Sequence, residues 1–137
     1  MDRITPEKRS WVMSRVKAKH SSAEMRVRHI AHSLGLRYRL HRHDLPGSPD
    51  LVFPRHRAVI FVHGCFWHRH PGCKRASTPK SQVTYWMDKF ERNVARDRQA
   101  VIDLRALGWR VLVIWECETK SSKLVLQRLG ELFEVSP

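Results

Sequence analysis

The chain has 137 residues, 42% hydrophobic and 28% charged, which is enough apolar material for one core and too little length for two comfortable domains. Lys and Arg number 26 against 13 Asp and Glu, a formal charge of +13 with a sequence pI near 10.7; so large an excess exceeds what solubility needs and favours a polyanionic partner, nucleic acid first. The polar start, the absence of an apolar run of membrane-spanning length and the odd count of three cysteines argue against secretion, a membrane anchor and a disulfide framework. A soluble cytoplasmic protein with thiolate metal ligands is the expectation.

Residues 1–43 hold eleven Lys or Arg against three acids, so the grip on a polyanion is expected at the N-terminus. Residues 1–20 read as a basic arm with a short helix, capped by Thr5 and opened by Pro6, in which Arg9, Arg15, Lys17 and Lys19 are candidate phosphate contacts. Residues 21–137 make up the rest of a single domain. Ser21 and Glu24 form an S-x-x-E capping box, after which Ala23, Val27, Ile30, Ala31 and Leu34 recur at helical spacing until Gly35. Leu36, Tyr38 and Leu40 then alternate with Arg37, Arg39 and His41, the pattern of a half-buried strand with a basic outer face.

After a loop from Asp44 to Pro49, the runs Asp50 to Phe53 and Ala58 to His63 flank Pro54, Arg55, His56 and Arg57, which predicts a strand, a tight reversal and a second, central strand. Beyond a Cys/His-rich segment, Val83, Trp86, Met87, Phe90, Val94, Val101 and Leu104 trace the apolar face of a long helix closed by Leu107 and Gly108, with Asp88, Glu91, Arg92 and Arg96 on other faces. Arg110 to Trp115 is a further buried strand. Ser121 or Ser122 caps a last helix carrying Leu124, Val125, Leu129, Leu132 and Phe133. The order predicts an α/β, three-layer-like sandwich, a central mixed sheet flanked by helices.

Chemistry concentrates in the string HGCFWHRHPGC from His63 to Cys73, with Cys117 following the last strand. A Cys3His set would consume all three cysteines and one of His63, His68 and His70; His70, between Cys65 and Cys73 on a loop turned by Pro71 and Gly72, is the best placed. A closed set of four is structural rather than catalytic, and would staple the loop to the end of the last strand.

Pro49-Asp50 opens a strand directly after a Gly-Ser loop, where nucleases of the PD-(D/E)xK type carry their first metal-binding aspartate. The hairpin places Asp50 opposite Phe61 and Val62, with His63 beside it. Those positions lack the acid and lysine usual in such nucleases. Magnesium tolerates a single carboxylate with waters and substrate phosphates, so Asp50 and a backbone carbonyl near Val62 are candidate ligands. A histidine, His63 or His68, must replace the lysine in proton transfer. Taken alone, Asp50 suits a turn cap and Glu24 a capping-box partner.

Phe66 and Trp67 stand in a polar, ligand-rich loop, suited to wedging between bases where a mispair has already weakened the stack, or else to packing beneath the metal site.

The run DLPGSPDLVFPRHRAVIFVHGCFWHRHPGC at residues 44–73, WECE at Trp115 to Glu118, the basic MSRVKAKHSSAE segment, the YWMDKFERNVARDR helix and GWRVLVIWEC together resemble the very-short-patch (Vsr) DNA mismatch endonucleases over nearly the whole chain. The resemblance implies a restriction-endonuclease-like, zinc-stapled fold and a magnesium-dependent enzyme. Such an enzyme nicks duplex DNA on the 5′ side of the thymine in T:G mismatches left by 5-methylcytosine deamination. It implies catalytic Mg2+ at Asp50 and the main chain of Val62, where the family often has threonine. His68 becomes the acid/base group, with His63, Glu24 and Asp97 in support; Asp97 alone would read as solvent-facing. It further implies structural Zn2+ on Cys65, His70, Cys73 and Cys117, and intercalation by Phe66, Trp67 and Trp86. The partners implied are mismatched DNA, a MutL-type repair protein and, functionally, a cytosine-C5 methyltransferase, for a nucleoid-associated monomer. The rival readings are a restriction-type enzyme that cuts both strands on the same fold and a zinc-stabilised DNA-binding module without catalysis.

Overall fold

The computed structural model describes residues 21–133; the arm predicted over residues 1–20 lies outside them, as do residues 134–137. The elements are α1 (Ser22–Ser33), β1 (Arg39–Leu40), β2 (Leu51–Phe53), β3 (Ala58–His63), α2 (Val83–Ala106), β4 (Arg110–Trp115) and α3 (Ser122–Phe133), with short 3-10 turns at Pro54–His56 and Glu116–Lys120. The sheet order is β1-β2-β3-β4. The first two pairings are antiparallel and β3 with β4 is parallel, because β3 and β4 are joined by the long crossover through α2 rather than by a hairpin.

Every side chain of β2 and nearly every one of β3 is buried, as expected of strands covered on both faces. Period-two alternation then divides them. Leu51, Phe53, Ala58, Ile60 and Ile114 join Val27 and Ala31 of α1 and Val125, Leu129 and Phe133 of α3 in one core. Val52, Val59 and Phe61 face Ala100 and Leu104 of α2, with Trp109, in a second. The three-layer α/β sandwich with a mixed central sheet is thus the observed fold.

Helices α1 and α2 end alike. Gly35 N–H donates to His32 O and Leu36 N–H to Ala31 O; Gly108 N–H donates to Arg105 O and Trp109 N–H to Leu104 O. These are paired 5→2 and 6→1 bonds made possible by glycines at φ 76° and 89°. Leu36 and Trp109 are thereby turned into the two cores.

Two expectations change in detail, and one element is new. The strand read over Leu36 to His41 shortens to Arg39–Leu40, both exposed, since Leu36 is spent closing α1 and β1 lies at the sheet edge. On α2 the buried residues are Trp86, Phe90, Ala100 and Leu104, whereas Val83 and Met87 of the expected apolar face are exposed. The inward row runs 86, 90, 93, 97, 100, 104 at alternating steps of four and three, so it passes through the half-buried Asn93 and Asp97. Finally, the Glu116–Lys120 turn, unforeseen, is closed by Glu118, whose Oε1 accepts from Trp115 N–H at 2.8 Å and whose Oε2 accepts from Arg128 at 2.7 Å.

Candidate active site and metal centre

At the end of the sheet where β2 begins and β3 and β4 finish lies a cleft of about 800 Å3, lined among others by His41, Asp50, Val62, His63, Trp67, His68 and Asp97. Asp50 immediately precedes β2, whose register sets Leu51 against Ile60. One residue earlier, the Asp50 Oδ2 atom accepts from Val62 N–H at 2.7 Å. Burial pushes the Asp50 carboxyl up to about 7, against the lowering effect of the Val62 bond and with added repulsion from Glu24. A carboxylate so strained electrostatically is relieved by a cation. With Oδ2 fixed, Oδ1 is the oxygen available to one, and a single carboxylate on an open cleft fits a hydrated magnesium ion.

Ser21 Oγ accepts from Glu24 N–H at 3.2 Å, but the Glu24 carboxylate turns inward, only 1% of the residue being exposed. It is ion-paired with Arg28, and its Oε2 lies 3.1 Å from His41 Nε2, which also stands 3.2 Å from the Arg28 guanidinium. The capping-box role expected from local sequence is therefore only half realised, since the buried charge is better satisfied by a guanidinium and an imidazole than by a backbone amide. Glu24, His41 and Asp50 form one group whose ligand atoms lie within 4.8 Å of one another. Glu24 of α1 thus brings an acid beside Asp50, where residues 61–63 offer none.

Across the cleft, His68 Nδ1 lies 2.6 Å from Asp97 Oδ2, and the His68 ring stacks on His63 at 3.9 Å with 5° between planes. Asp97 stands on the inward row of α2, which is why it reaches the site instead of solvent. Burial, and then the charge of His68, lowers His63 to about 4, so His63 is neutral at physiological pH and serves as a flat support for His68 rather than as a second cation.

Cys65, His70, Cys73 and Cys117 bring their ligand atoms within 4.8 Å of one another. His70 Nδ1 lies 3.7 Å from Cys65 Sγ and 3.4 Å from Cys117 Sγ. The N···S edge of a tetrahedron with zinc-length bonds is about 3.6 Å. The four therefore fit a closed tetrahedral ion, and His70 is the histidine chosen. Burial pushes the Cys65 thiol up to about 12, while amide donation, first from Arg75, lowers Cys73; a bound cation favours the thiolate at both.

Trp115, which sequence reasoning noted only within a motif, sits between the two centres, its ring stacked on His70 at 4.4 Å and edge-on to His63 at 5.4 Å. Arg69, overlooked, donates to the carbonyls of Phe66, Ala76 and Ser77 and to Thr78 Oγ1, and lies 4.0 Å over the Phe90 ring. Its backbone lies in the left-handed region at φ 56°. Phe66 and Trp67 are half-buried beside Trp86 and Phe90, and Trp86 is 1% exposed. All three expected intercalating rings thus belong to one aromatic cluster, with Lys89 Nζ 5.0 Å over Trp67. Arg9, Arg15, Lys17 and Lys19 lie outside the described residues. No described helix is long and apolar enough to cross a membrane.

The model of the DNA mismatch endonuclease Vsr family matches residues 1–75. The chain is 48% identical to the type II nicking enzyme V.XorIIP of Xanthomonas oryzae over 98% of each chain. It is 37% identical to the nicking enzyme V.NmeAIP of Neisseria meningitidis over 96% of this chain and 93% of that one, and 39% identical to the DNA mismatch endonuclease Vsr of Escherichia coli over 92% and 81%. With a carboxylate cleft, a histidine–aspartate pair and a Cys3His group in the places this fold provides, the chain belongs to the Vsr family and is a DNA endonuclease, a phosphodiester hydrolase.

Proposed function

We propose that the enzyme nicks duplex DNA on the 5′ side of a thymine mispaired with guanine, leaving 3′-hydroxyl and 5′-phosphate ends, as the first step in repairing deaminated 5-methylcytosine. The observation that carries the reading is the pairing of Asp50 and the His68–Asp97 couple on one cleft beside an aromatic cluster. Asp50, held by Val62 N–H, and the Val62 carbonyl are the groups that would hold Mg2+. When bound, that ion polarises the phosphate and stabilises the departing oxygen. Asp97 accepts from His68 Nδ1, which leaves Nε2 to exchange a proton at the scissile phosphate, and the flat contact with neutral His63 keeps the ring from turning. Glu24 supports the Asp50 side through His41.

Zn2+ on Cys65, His70, Cys73 and Cys117 is the structural ion, and fixes the loop that carries Phe66 and Trp67. These rings enter the base stack next to the mispair, where deformation is cheapest; Trp86, enclosed behind them, joins only if the cluster opens. Arg9, Arg15, Lys17 and Lys19 supply sequence-independent phosphate contacts. A MutL-type repair protein, a cytosine-C5 methyltransferase acting on the same sites, a monomeric state and a nucleoid location complete the proposal.

The test is incubation with T:G, T:A and single-stranded oligonucleotides with and without Mg2+. Metal-dependent nicking of one strand of the T:G duplex supports the reading. Equal cleavage of paired DNA in both strands would replace it with a restriction-type activity, and binding without cleavage would leave a DNA-binding module.

A further inference from the structure

His63 and Trp115 are the last residues of β3 and β4 and stand opposite each other in the parallel register of those strands. Each is followed two residues later by a cysteine of the Cys3His group, Cys65 after His63 and Cys117 after Trp115. The strand ends are thus drawn together just beyond this pair. By the two-residue period both share the sheet face of Phe61 and Val113, which α2 covers. From the metal group inward the rings then follow one another without interruption. His70 lies flat on Trp115, with centroids 4.4 Å and planes 14° apart. Trp115 meets His63 edge-on at 5.4 Å and 71°, His63 lies flat on His68 at 3.9 Å and 5°, and the series ends at Asp97, 2.6 Å from His68.

The backbone of Trp115 is itself anchored: its N–H donates to Glu118 Oε1 at 2.8 Å, and Glu118 Oε2 accepts from Arg128 at 2.7 Å. A ring packed between two others cannot yield to one without moving against the other, since interiors leave little free space, and stacked or edge-to-face contacts add a preferred geometry to mere burial. The contact with Asp97 fixes one atom of the His68 ring and leaves the tilt of its plane open; the flat contact with His63 sets that tilt. We propose that Trp115 is a positioning residue for the nicking reaction, its indole carrying the geometry of the Cys3His group through His63 to the plane of His68. The loop between Cys65 and His70 gives the His68 backbone its place, and the ring series gives the imidazole its angle. An error of about 1 Å at a reacting group can cost on the order of a hundredfold in rate, so support of this kind has a kinetic consequence. The inference rests on the assignment of His68 as the acid/base group.

The experiment compares Trp115→Leu and Trp115→Phe with the wild type, all as zinc-loaded full chains, in single-turnover nicking of a T:G duplex, and repeats Trp115→Leu in a His63→Leu background. Trp115→Leu should lower the cleavage rate about tenfold or more with duplex Kd little changed and one zinc per chain, while Trp115→Phe, which keeps a ring in place, should retain most of the rate. Beside His63→Leu, Trp115→Leu should cost nothing further, because residues that act in series are not additive. An undiminished rate in Trp115→Leu, loss of zinc along with the rate, or a full additional loss beside His63→Leu would each overturn the proposal. A second readout needs no catalysis. Exchange of zinc for the larger cadmium ion should shift the ring resonances of His63 and the indole of Trp115 in the wild type, and the His63 shift should collapse in Trp115→Leu although His70 still responds. Should Trp115→Leu not fold, the wild-type exchange decides: shifts at both rings support the proposal, and absence of either refutes it. A His68→Ala chain that nicks at the wild-type rate would sink the underlying assignment, whereas an inactive His68→Ala beside a fully active Trp115→Leu refutes the role of Trp115 alone.

Discussion

The face of the sheet covered by α1 and α3 and the segment of residues 64–82 are held by opposite means. On the face, Leu51, Phe53, Ile60, Ile114, Val125 and Leu129 are completely enclosed, so position is set by apolar packing that tolerates exchange among residues of similar volume. In the segment only Cys65 is fully buried and no strand or helix forms. Its shape is set by four metal-ligating atoms, the hydrogen bonds of Arg69 and short backbone turns such as His68 N–H to Gly64 O and His70 N–H to Cys65 O. Damage to a packed face is therefore spread among many neighbours, while damage to a ligated segment is concentrated in a few atoms.

The sharpest use of that contrast separates chemistry from support. Asp50→Ala and His68→Ala should each lower the nicking rate by about a thousandfold or more, leaving mismatch binding and zinc content largely intact; near-normal single-turnover rates would show that the reacting groups lie elsewhere. Cys117→Ser comes next. It should abolish stoichiometric zinc and cost several kcal/mol in denaturant unfolding, whereas Leu51→Ala should cost about 2–5 kcal/mol while zinc stays at one per chain. If both variants behave alike, the two regions are not held differently. Smaller still is the effect of Phe66→Ala with Trp67→Ala, which should bring the T:G over T:A nicking ratio down roughly tenfold or more at unchanged zinc content. A wild-type ratio would make these rings packing alone. The weakest effect is expected at the N-terminus, where neutralising Arg9, Arg15, Lys17 or Lys19 should each reduce the log-log salt slope of duplex binding by about 0.9 without altering mismatch preference.

What the sequence made legible follows the same division. The unbroken apolar run AVIFVH and the capping and closing residues of the helices are local signals, so the layers, the hairpin and the mixed sheet could be read directly. The Cys3His set was legible because its residue types are rare and specific. Asp97 was legible only through the family resemblance, because an apolar-only reading of α2 skips a polar residue on the inward row. His41 was hidden for another reason: a basic residue alternating along a strand reads as solvent-facing, and only its turned backbone beside Asp50 brings the ring back to Glu24. Trp115 acts through rings far away in sequence, and Arg69 through the carbonyls of an irregular loop, for which no spacing rule exists.

Gly47 shows how the two sides of the cleft are kept at a working distance. A Cβ placed there would stand 2.6 Å from the Ala100 Cβ and 3.1 Å from the Phe61 ring, so the loop before Asp50 rests directly against α2. Ala100 lies one helical turn beyond Asp97. The spacing between the carboxylate side and the histidine side is thus gauged by a bare backbone against a methyl group, and a single added carbon at residue 47 acts as a spacer inserted into a caliper. Residues 47 and 100 should consequently vary together or not at all, which ties the tolerances of a site made of charged groups to two residues that carry no charge.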